Sequence, residues 1–424
     1  MRLHTMLATG AIMLVLAGAP ARASQAFDAC ADAAASQYEA GYEAIGSDSG
    51  KMDTMQAIFA CSTALVDEPD TAAIKAWLGR AYATADDATS ALSYLEPAAL
   101  AGNPLAQTLL GDMLIVGDGV TQDMVRRAEL LRSAADAGFA PAEDSLGLSY
   151  DFAEGVEQNH VEAARLYRRA AEKGLPRAMT NLAAMYASGL GLDHDLVAAA
   201  AWYQRGADRG DARAQFNLGK LFEDGALGEP DYERAVELYT AAAGQGDALA
   251  ANALGYLTFH GYGTKPDPEA ALALYRQAAD AGLAQAQFNL ALMYEDGIGV
   301  PQDYALARQG YRQASESGNA DAAANLGLLY LNGAESTPDY DKALQFTQRA
   351  ADGGSAVGLN NLGHLHENGL GAARDAELAL SLYQQAADLD YQPGADNHAR
   401  LEAILNAPRD PALVRLYPKS KIDN

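Results

Sequence analysis

The chain has 424 residues, 49% of them hydrophobic, and a formal net charge of −26. A charge of this sign repels nucleic acid and anionic lipid, so we expect neither as a partner. Glycines at a constant spacing of 36 residues indicate a stack of one supersecondary unit and not several independent domains. The eight are Gly102, Gly138, Gly174, Gly210, Gly246, Gly282, Gly318 and Gly354.

Residues 1–23 have the features of a secretory signal peptide. An apolar run covers residues 6–17, and Ala21 and Ala23 supply the small residues of a cleavage site. We predict cleavage after Ala23, a location in the periplasm or outside the cell, and no membrane insertion afterwards. The alternative is an uncleaved anchor, although the run is shorter than the ~20 residues that span a bilayer. The leader contains two arginines and no acid, so its removal changes the charge from −26 to −28.

Residues 24–70 are predicted to form an N-terminal capping helix hairpin. The two cysteines of the chain are Cys30 and Cys61, and their midpoint lies beside a Gly- and Ser-rich stretch at 46–50 that should form the turn. Positions equidistant from the turn of an antiparallel hairpin face each other, which predicts a Cys30–Cys61 disulfide in an exported chain. Two free buried thiols are the alternative.

Residues 71–102 are predicted to form a shorter hairpin. Leu78, Gly79 and Tyr82 have the spacing found in the first helix of the later repeats, but the long glycine-containing turn is missing. This segment therefore continues the stack with a tighter connection.

Residues 103–390 are predicted to contain eight repeats of 36 residues, each a helix hairpin. In the repeat that ends at Gly246, an apolar stripe ends at Gly225, and a second stripe begins after Asp231. Every second helix opens on Asp or Asn, the composition of an N-cap. Those residues are Asp123, Asn159, Asp195, Asp231, Asp267, Asp303, Asp339 and Asp375. Core tyrosines of the second helix share one phase: Tyr167, Tyr203, Tyr239, Tyr275, Tyr311 and Tyr383.

At these positions the chain resembles the Sel1-like repeat family. The pattern is a leucine and a small residue, a tyrosine, a G-x-G turn, an N-cap, a second tyrosine and a closing glycine. One repeat carries it at Leu290, Tyr294, Gly297, Gly299, Asp303, Tyr311 and Gly318. The resemblance implies an all-α, right-handed superhelical solenoid of antiparallel helix hairpins, similar to tetratricopeptide arrays. Residues 71–102 look closer to a tetratricopeptide repeat.

The C-terminal part is predicted to close the stack. Residues 391–407 are predicted to form a capping helix over the exposed apolar face of the last repeat, because the ends of solenoids need such covers. Three prolines follow within residues 408–424, which predicts an extended or disordered tail.

The motifs that suggest catalysis or ligand binding have structural explanations. The G-x-G pairs follow helices and recur at one phase, so they indicate turns and not a phosphate loop. His364 and His366 are two residues apart and point away from each other on a helix, which disfavours a shared metal. We therefore predict no enzyme, no cofactor and no metal. Cysteine-rich members of the family have been linked to β-lactam hydrolysis, but this chain lacks cysteine after residue 61.

An asparagine precedes the repeat leucine in five repeats. These residues are Asn181, Asn217, Asn289, Asn325 and Asn361. Such an Asn could bind a peptide backbone, as in tetratricopeptide grooves, or could bond a neighbouring turn of the repeat itself.

Residues that differ between repeats indicate where a partner could bind. Positions 3, 6, 10 and 13 after each closing glycine lie on one face of the first helix, which lines the concave side in related arrays. We call these positions the first-helix face. Ordinary solvated surface is the alternative. The candidates are Arg177, Arg213, Phe216, Lys220, Glu223, Asn252, Tyr256, Phe259, Phe288, Glu295, His364 and Glu367.

We therefore predict a non-catalytic scaffold or adaptor that binds a protein or peptide through aromatic and arginine anchors. The resemblance implies a role in envelope signalling or in polysaccharide export. Two alternatives belong to other classes: a hydrolase acting on β-lactam-like or peptidoglycan substrates, and a carbohydrate-binding module. Trp77 and Trp202 are both at helical core phases, which disfavours the second alternative.

Overall fold

The computed structural model describes residues 25–42, 52–333 and 337–406, and within these ranges all regular structure is helical. The prediction of an all-α fold built from helix hairpins is confirmed. The predicted signal peptide and the predicted tail at 408–424 lie outside the described residues. The helices form two compact units, which divide between Asp195 and Leu196.

The described residues of unit 1 form four helix hairpins followed by one further helix. The first hairpin precedes the repeats, and consecutive helices pack against each other along the unit. The helices are α1 Gln25–Ala34, α2 Thr54–Asp67, α3 Ala72–Thr84, α4 Ala88–Leu100, α5 Pro104–Val116, α6 Met124–Asp136, α7 Ala140–Phe152, α8 His160–Glu172 and α9 Pro176–Ser188.

In the described part of unit 2, one helix is followed by five hairpins and then by a longer helix. The helices are α10 Leu196–Ala207, α11 Ala212–Glu223, α12 Tyr232–Ala243, α13 Ala248–His260, α14 Pro268–Asp280, α15 Ala284–Asp296, α16 Tyr304–Glu316, α17 Ala320–Asn332, α18 Tyr340–Asp352, α19 Ala356–Asn368, α20 Ala376–Ala387 and α21 Gln392–Asn406.

Second helices begin directly after a residue whose side chain caps the helix. The Asp231 carboxylate accepts the backbone N–H of Arg234 at 3.0 Å, and Asn159 accepts that of Glu162 at 3.1 Å. These bonds satisfy amide groups that have no partner within the helix. Several first helices end on a left-handed glycine, such as Gly117 with φ 80°, because such a residue has no Cβ to clash.

The second glycine of the turn fixes the distance between neighbouring hairpins. A Cβ on Gly263 would lie 2.3 Å from the carbonyl carbon of Tyr232, and one on Gly155 would lie 1.9 Å from the carbonyl oxygen of Met124. In these two repeats the turn therefore rests directly on the backbone at the start of the preceding second helix. A larger residue at Gly155 or Gly263 would push the neighbouring hairpins apart.

In four of the hairpins, a core tyrosine packs against a glycine of the first helix. Tyr239 is 1% exposed, and a Cβ on Gly219 would approach its ring to 2.7 Å. Tyr167 and Gly147 repeat the arrangement. The small residue beside the repeat leucine therefore leaves the space that the tyrosine ring fills.

The N-terminal hairpin is joined by a disulfide between Cys30 and Cys61, which links α1 to α2. The chain beyond α1 is anchored by buried polar contacts. Trp77 donates its indole N–H to the Glu39 carboxylate at 2.9 Å, and Arg80 donates to the carbonyls of Ala34 and Ala35. Burial raises the pKa of Glu39. These contacts fasten the hairpin to α3.

Candidate partner-binding face

The first helices of neighbouring repeats are joined by side-chain bonds across the first-helix face. Asn181 donates to Asp144 at 2.9 Å in unit 1, and Asn289 donates to Asn252 at 3.0 Å in unit 2. In both pairs the donor directly precedes the repeat leucine and the acceptor belongs to the preceding repeat. These two asparagines therefore connect repeats, which is the structural one of the two roles considered for this position.

Unit 1 carries an ionic network that joins the first helices α7 and α9 and the C-terminal end of α8. The Asp144 carboxylate is fully buried and accepts Nε of Arg177 at 2.5 Å, while the side chain of Arg177 remains 53% exposed. Glu143, also fully buried, meets Arg169 at 2.6 Å and Lys173 at 2.7 Å. The predicted candidate Arg177 therefore pairs with the preceding repeat, where it also donates from Nη2 to Ser145 at 3.2 Å.

In unit 2, side chains at the ends of the first helices make a different contact. The hydroxyls of three core tyrosines each donate to a glutamate that lies sixteen residues earlier, at the end of the first helix. The distances are 2.6 Å for Tyr239 to Glu223, 2.5 Å for Tyr311 to Glu295 and 2.8 Å for Tyr383 to Glu367. The three glutamates that the sequence suggested as partner contacts therefore bond within their own hairpins.

The pKa values of these pairs are moved by burial. Burial raises the pKa of Tyr239, and the bond to Glu223 raises it further, so the phenol keeps its proton and acts as donor. Burial also raises the pKa of Glu295, and the hydrogen bond from Tyr311 opposes that rise. Glu367 is 3% exposed and additionally accepts both terminal nitrogens of Arg400, at 2.8 and 2.6 Å.

Two of the candidate phenylalanines are partly covered by the core tyrosines. The ring centroid of Phe216 lies 5.7 Å from that of Tyr239, and the centroid of Phe288 lies 5.8 Å from that of Tyr311. Both phenylalanines are half-buried. Each therefore presents one side of its ring on the first-helix face while the other side packs on the hairpin.

An exposed aromatic cluster occupies the end of α13 and the turn that follows it. Tyr256 and Tyr262 are each 42% exposed. His260 lies between them, with its ring centroid 4.4 Å from Tyr256 and 5.5 Å from Tyr262. Phe259 contacts the histidine at 5.0 Å. We call these four residues the aromatic cluster.

The remaining candidates have different surroundings. Arg213, Lys220 and His364 are exposed, and Lys220 lies 4.0 Å from Asp224 on the same helix. His364 contacts Asn368 on its own helix. The structure thus brings Tyr256 and Phe259 together, while the other exposed candidates lie on separate helices.

Sequence reasoning missed His260 and Tyr262 of the aromatic cluster, and it missed Tyr232, whose ring stacks on Tyr262 at 5.2 Å. Tyr262 is the middle residue of a G-x-G turn, which was interpreted only as a turn. The signal in the sequence is a large aromatic residue in the middle of this turn. Since the turn contacts the start of the preceding second helix, that residue lies beside Tyr232.

Within the ranges that the structure describes, no three His, Cys, Asp or Glu side chains group closely enough to hold a metal ion. In the same part of the chain, no helix has the length and apolar character needed to cross a membrane.

The pattern of the Sel1 repeat matches nine consecutive segments of the sequence, beginning at residue 77 within the shorter hairpin. The segments are 77–103, 104–139, 140–175, 176–211, 212–247, 248–283, 284–319, 320–355 and 356–391. The chain belongs to the Sel1 repeat family. Sel1 repeat proteins are typically protein-interaction scaffolds.

Solved Sel1 repeat structures share this fold. A protective antigen present in uropathogenic Escherichia coli strains, displaying an SLR fold, is 28% identical over 86% of this chain and 85% of its own, with a TM-score of 0.53. A Sel1 repeat protein from Oxalobacter formigenes is 29% identical over 73% of this chain and 90% of its own, with a TM-score of 0.55. No curated protein matches the sequence.

Proposed function

We propose that this Sel1 repeat protein is a non-catalytic scaffold that binds a protein or peptide segment on the first-helix face of unit 2. The aromatic cluster carries the proposal, because exposed tyrosines are typical anchors of protein interfaces. Tyr256 and Phe259 belong to both the predicted face and the cluster.

Neighbouring first helices extend the proposed surface. Arg213 and Lys220 on α11 supply exposed cations, and Phe216 and Phe288 supply half-buried rings. Glu223, Glu295 and Glu367 bond within the protein, so they shape the surface without contributing free carboxylates. A partner segment would therefore bind through apolar and aromatic residues, with acidic groups opposite Arg213 and Lys220.

A location outside the cytoplasm is part of the proposal. The sequence of residues 1–23 supports export, and the Cys30–Cys61 disulfide fits an oxidising compartment. Appearance of the chain in the periplasmic or culture fraction, with a new N-terminus at Ser24, would agree. Retention of the full leader in that fraction would contradict the predicted cleavage.

The test of binding compares two tyrosines of similar exposure. Tyr256→Ala should reduce recovery of the partner in crosslinking within the native envelope, at least tenfold, with helicity unchanged. Tyr340→Ala removes a tyrosine that is 39% exposed on α18, and it serves as the matched control. Equal recovery by both variants would show that the first-helix face of unit 2 is not the binding surface.

Glycan binding is a second candidate function. The observation that favours it is the aromatic cluster, because its exposed rings could stack on sugar rings. Trp77 is fully buried, and the half-buried Trp202 lies under the guanidinium of Arg205 at 4.1 Å, so the tyrosines supply the stacking surface. Retention on immobilised polysaccharide that Tyr262→Ala abolishes would support this function. Turnover of a chromogenic β-lactam by the purified chain would contradict both non-catalytic proposals.

A further inference from the structure

An exposed apolar strip marks one edge of unit 1. It involves two positions of the repeat, the last residue of the first helix and the second residue of the second helix. Val116 and Phe152 occupy the former and are 72% and 65% exposed, while Val125 and Val161 occupy the latter and are 59% and 66% exposed. Together with Leu190 we call these residues the turn edge.

The contacts of the turns make the turn edge continuous. A Cβ on Gly155, in the turn that follows Phe152, would lie 3.0 Å from the backbone nitrogen of Val125. A Cβ on Gly191, beside Leu190, would lie 2.8 Å from the backbone nitrogen of Val161. Apolar residues of successive repeats are therefore brought side by side and are not scattered singly over the surface.

The other repeats show that the fold does not need apolar residues there. The helix end is polar and exposed in unit 2, at Asp224, His260, Asp296, Asn332 and Asn368. The second-helix position keeps Val197 in α10 and then becomes Glu233, Glu269, Ala305, Asp341 and Glu377. Because contiguous exposed apolar surface is a liability for a monomer, its restriction to one stretch of repeats indicates an interaction surface.

The turns that border this strip are acidic. The segments 117–123, 153–159 and 189–195 contain no Lys or Arg. Two exposed arginines nearby are already paired, Arg126 with Glu96 at 3.5 Å and Arg165 with Glu162 at 2.5 Å. The turns contain Asp118, Asp123, Glu154, Glu157, Asp193 and Asp195. An apolar centre with an acidic border fits a segment that combines apolar side chains with positive charge.

The chain itself contains such a segment. Residues 408–424 include four basic and two acidic side chains, whereas acids outnumber basic residues 56 to 30 in the whole chain. The apolar residues of the segment are Leu413, Val414, Leu416, Tyr417 and Ile422. We propose that the turn edge of unit 1 binds residues 408–424 of a second copy of this chain. The contact joins two different surfaces, so it is heterologous and can link more than two copies.

The test uses a fluorescent peptide of residues 408–424 titrated with the full chain. The replacements come from other repeats of this same chain: Val125→Glu and Val161→Glu copy Glu233, and Phe152→Asn copies Asn332. The triple variant should bind the peptide at least tenfold more weakly at unchanged helicity, and binding to the parent should weaken as salt rises. Leu249→Glu, which alters a residue 50% exposed at the start of α13, should leave the affinity unchanged.

Self-association provides the second readout. The full chain should associate as its concentration rises, and both the free peptide and a chain ending at residue 407 should abolish that association. A triple variant that binds the peptide like the parent, or a parent that does not bind it, overturns the proposal. Association that persists without residues 408–424 but is lost in the triple variant would assign the turn edge to a direct copy-to-copy contact, and would overturn it equally.

Discussion

Units 1 and 2 connect the same helix pairs with different chemistry. In unit 1, the buried Glu143 carboxylate faces Arg169 and Lys173 of its own repeat, and the buried Asp144 carboxylate faces Arg177 of the next repeat. In unit 2, tyrosine hydroxyls bond glutamates within one hairpin, as in Tyr239 with Glu223. The repeat backbone therefore tolerates either solution, and the side chains of the first-helix face can diverge without loss of stacking.

High pH should distinguish the units most strongly. Burial holds the pKa of Tyr203 at about 12 and raises those of Tyr239, Tyr275 and Tyr311 above 10. These groups stabilise unit 2 fully below about pH 10, and that contribution is lost as the pH rises towards the folded pKa, because the unfolded chain releases protons that the folded chain retains. Near pH 11 the loss is about 1.4 kcal/mol per tyrosine, or about 6 kcal/mol for four.

The arginine contacts of unit 1 keep their charge at that pH, since guanidinium groups stay protonated. Burial also raises the pKa of Tyr167 in unit 1, but unit 2 has four such tyrosines. Alkaline titration followed by tyrosinate absorbance and helicity, with limited proteolysis to locate cleavage, should therefore show unit 2 opening first. Earlier cleavage in unit 1 would show that the raised pKa values of the tyrosines do not determine which unit opens first.

Tyr239→Ala should have the next largest effect. The side chain is fully enclosed and packs on Phe216 and Gly219, so its loss leaves a cavity and should lower the free energy of unfolding by roughly 3 kcal/mol. Urea denaturation measures the change, and hydrogen exchange should place it in unit 2. Tyr340→Ala, at an exposed tyrosine, should change stability little.

Arg177→Ala tests the ionic network of unit 1. The variant removes the guanidinium that neutralises the buried Asp144 carboxylate, and we expect a loss of about 2 kcal/mol. Adding Asp144→Asn should recover part of that loss, because the buried charge is then absent. Asp144→Asn alone gives the reference change in the parent. If the same substitution destabilises Arg177→Ala by an equal amount, the two residues do not interact energetically.

Tyr311→Phe should have the smallest effect. It removes the bond to Glu295 and the longer bond that Asn325 donates at 3.3 Å, without leaving a cavity, which should cost about 1 kcal/mol in unfolding free energy. The pKa of Glu295 should rise further, because the Tyr311 bond is the contact that lowers it. NMR titration of the Glu295 carboxyl group measures this, and an unchanged or lower pKa would show that the bond is absent in solution.

The repeat period, the N-caps and the core tyrosines could be predicted from sequence because each is a local or periodic signal. Tyr239, for example, was placed in the core by phase alone, and Asp231 by its position before the second helix. The Cys30–Cys61 disulfide followed from the symmetry of a hairpin. These features depend on contacts within one repeat or on a constant offset.

The contacts between helices could not be predicted in the same way. The phase of Glu223 on α11 predicts a contact with a partner, whereas its carboxylate accepts a hydrogen bond from Tyr239 on α12. Arg177 and Asp144 are 33 residues apart and meet only when two repeats are stacked. The aromatic cluster combines a helix end with a turn, so no single periodic pattern contains it.

The turn glycines have a consequence for how such a protein can be rebuilt. Because Gly155 and Gly263 each rest on the backbone of the preceding helix pair, and because the eight full repeats keep a length of 36 residues, a joint of this kind between two repeats depends on main-chain atoms. Whole repeats should therefore be exchangeable within a unit, so that new specificities can be assembled by transplanting or duplicating 36-residue blocks and leaving the joints as they are.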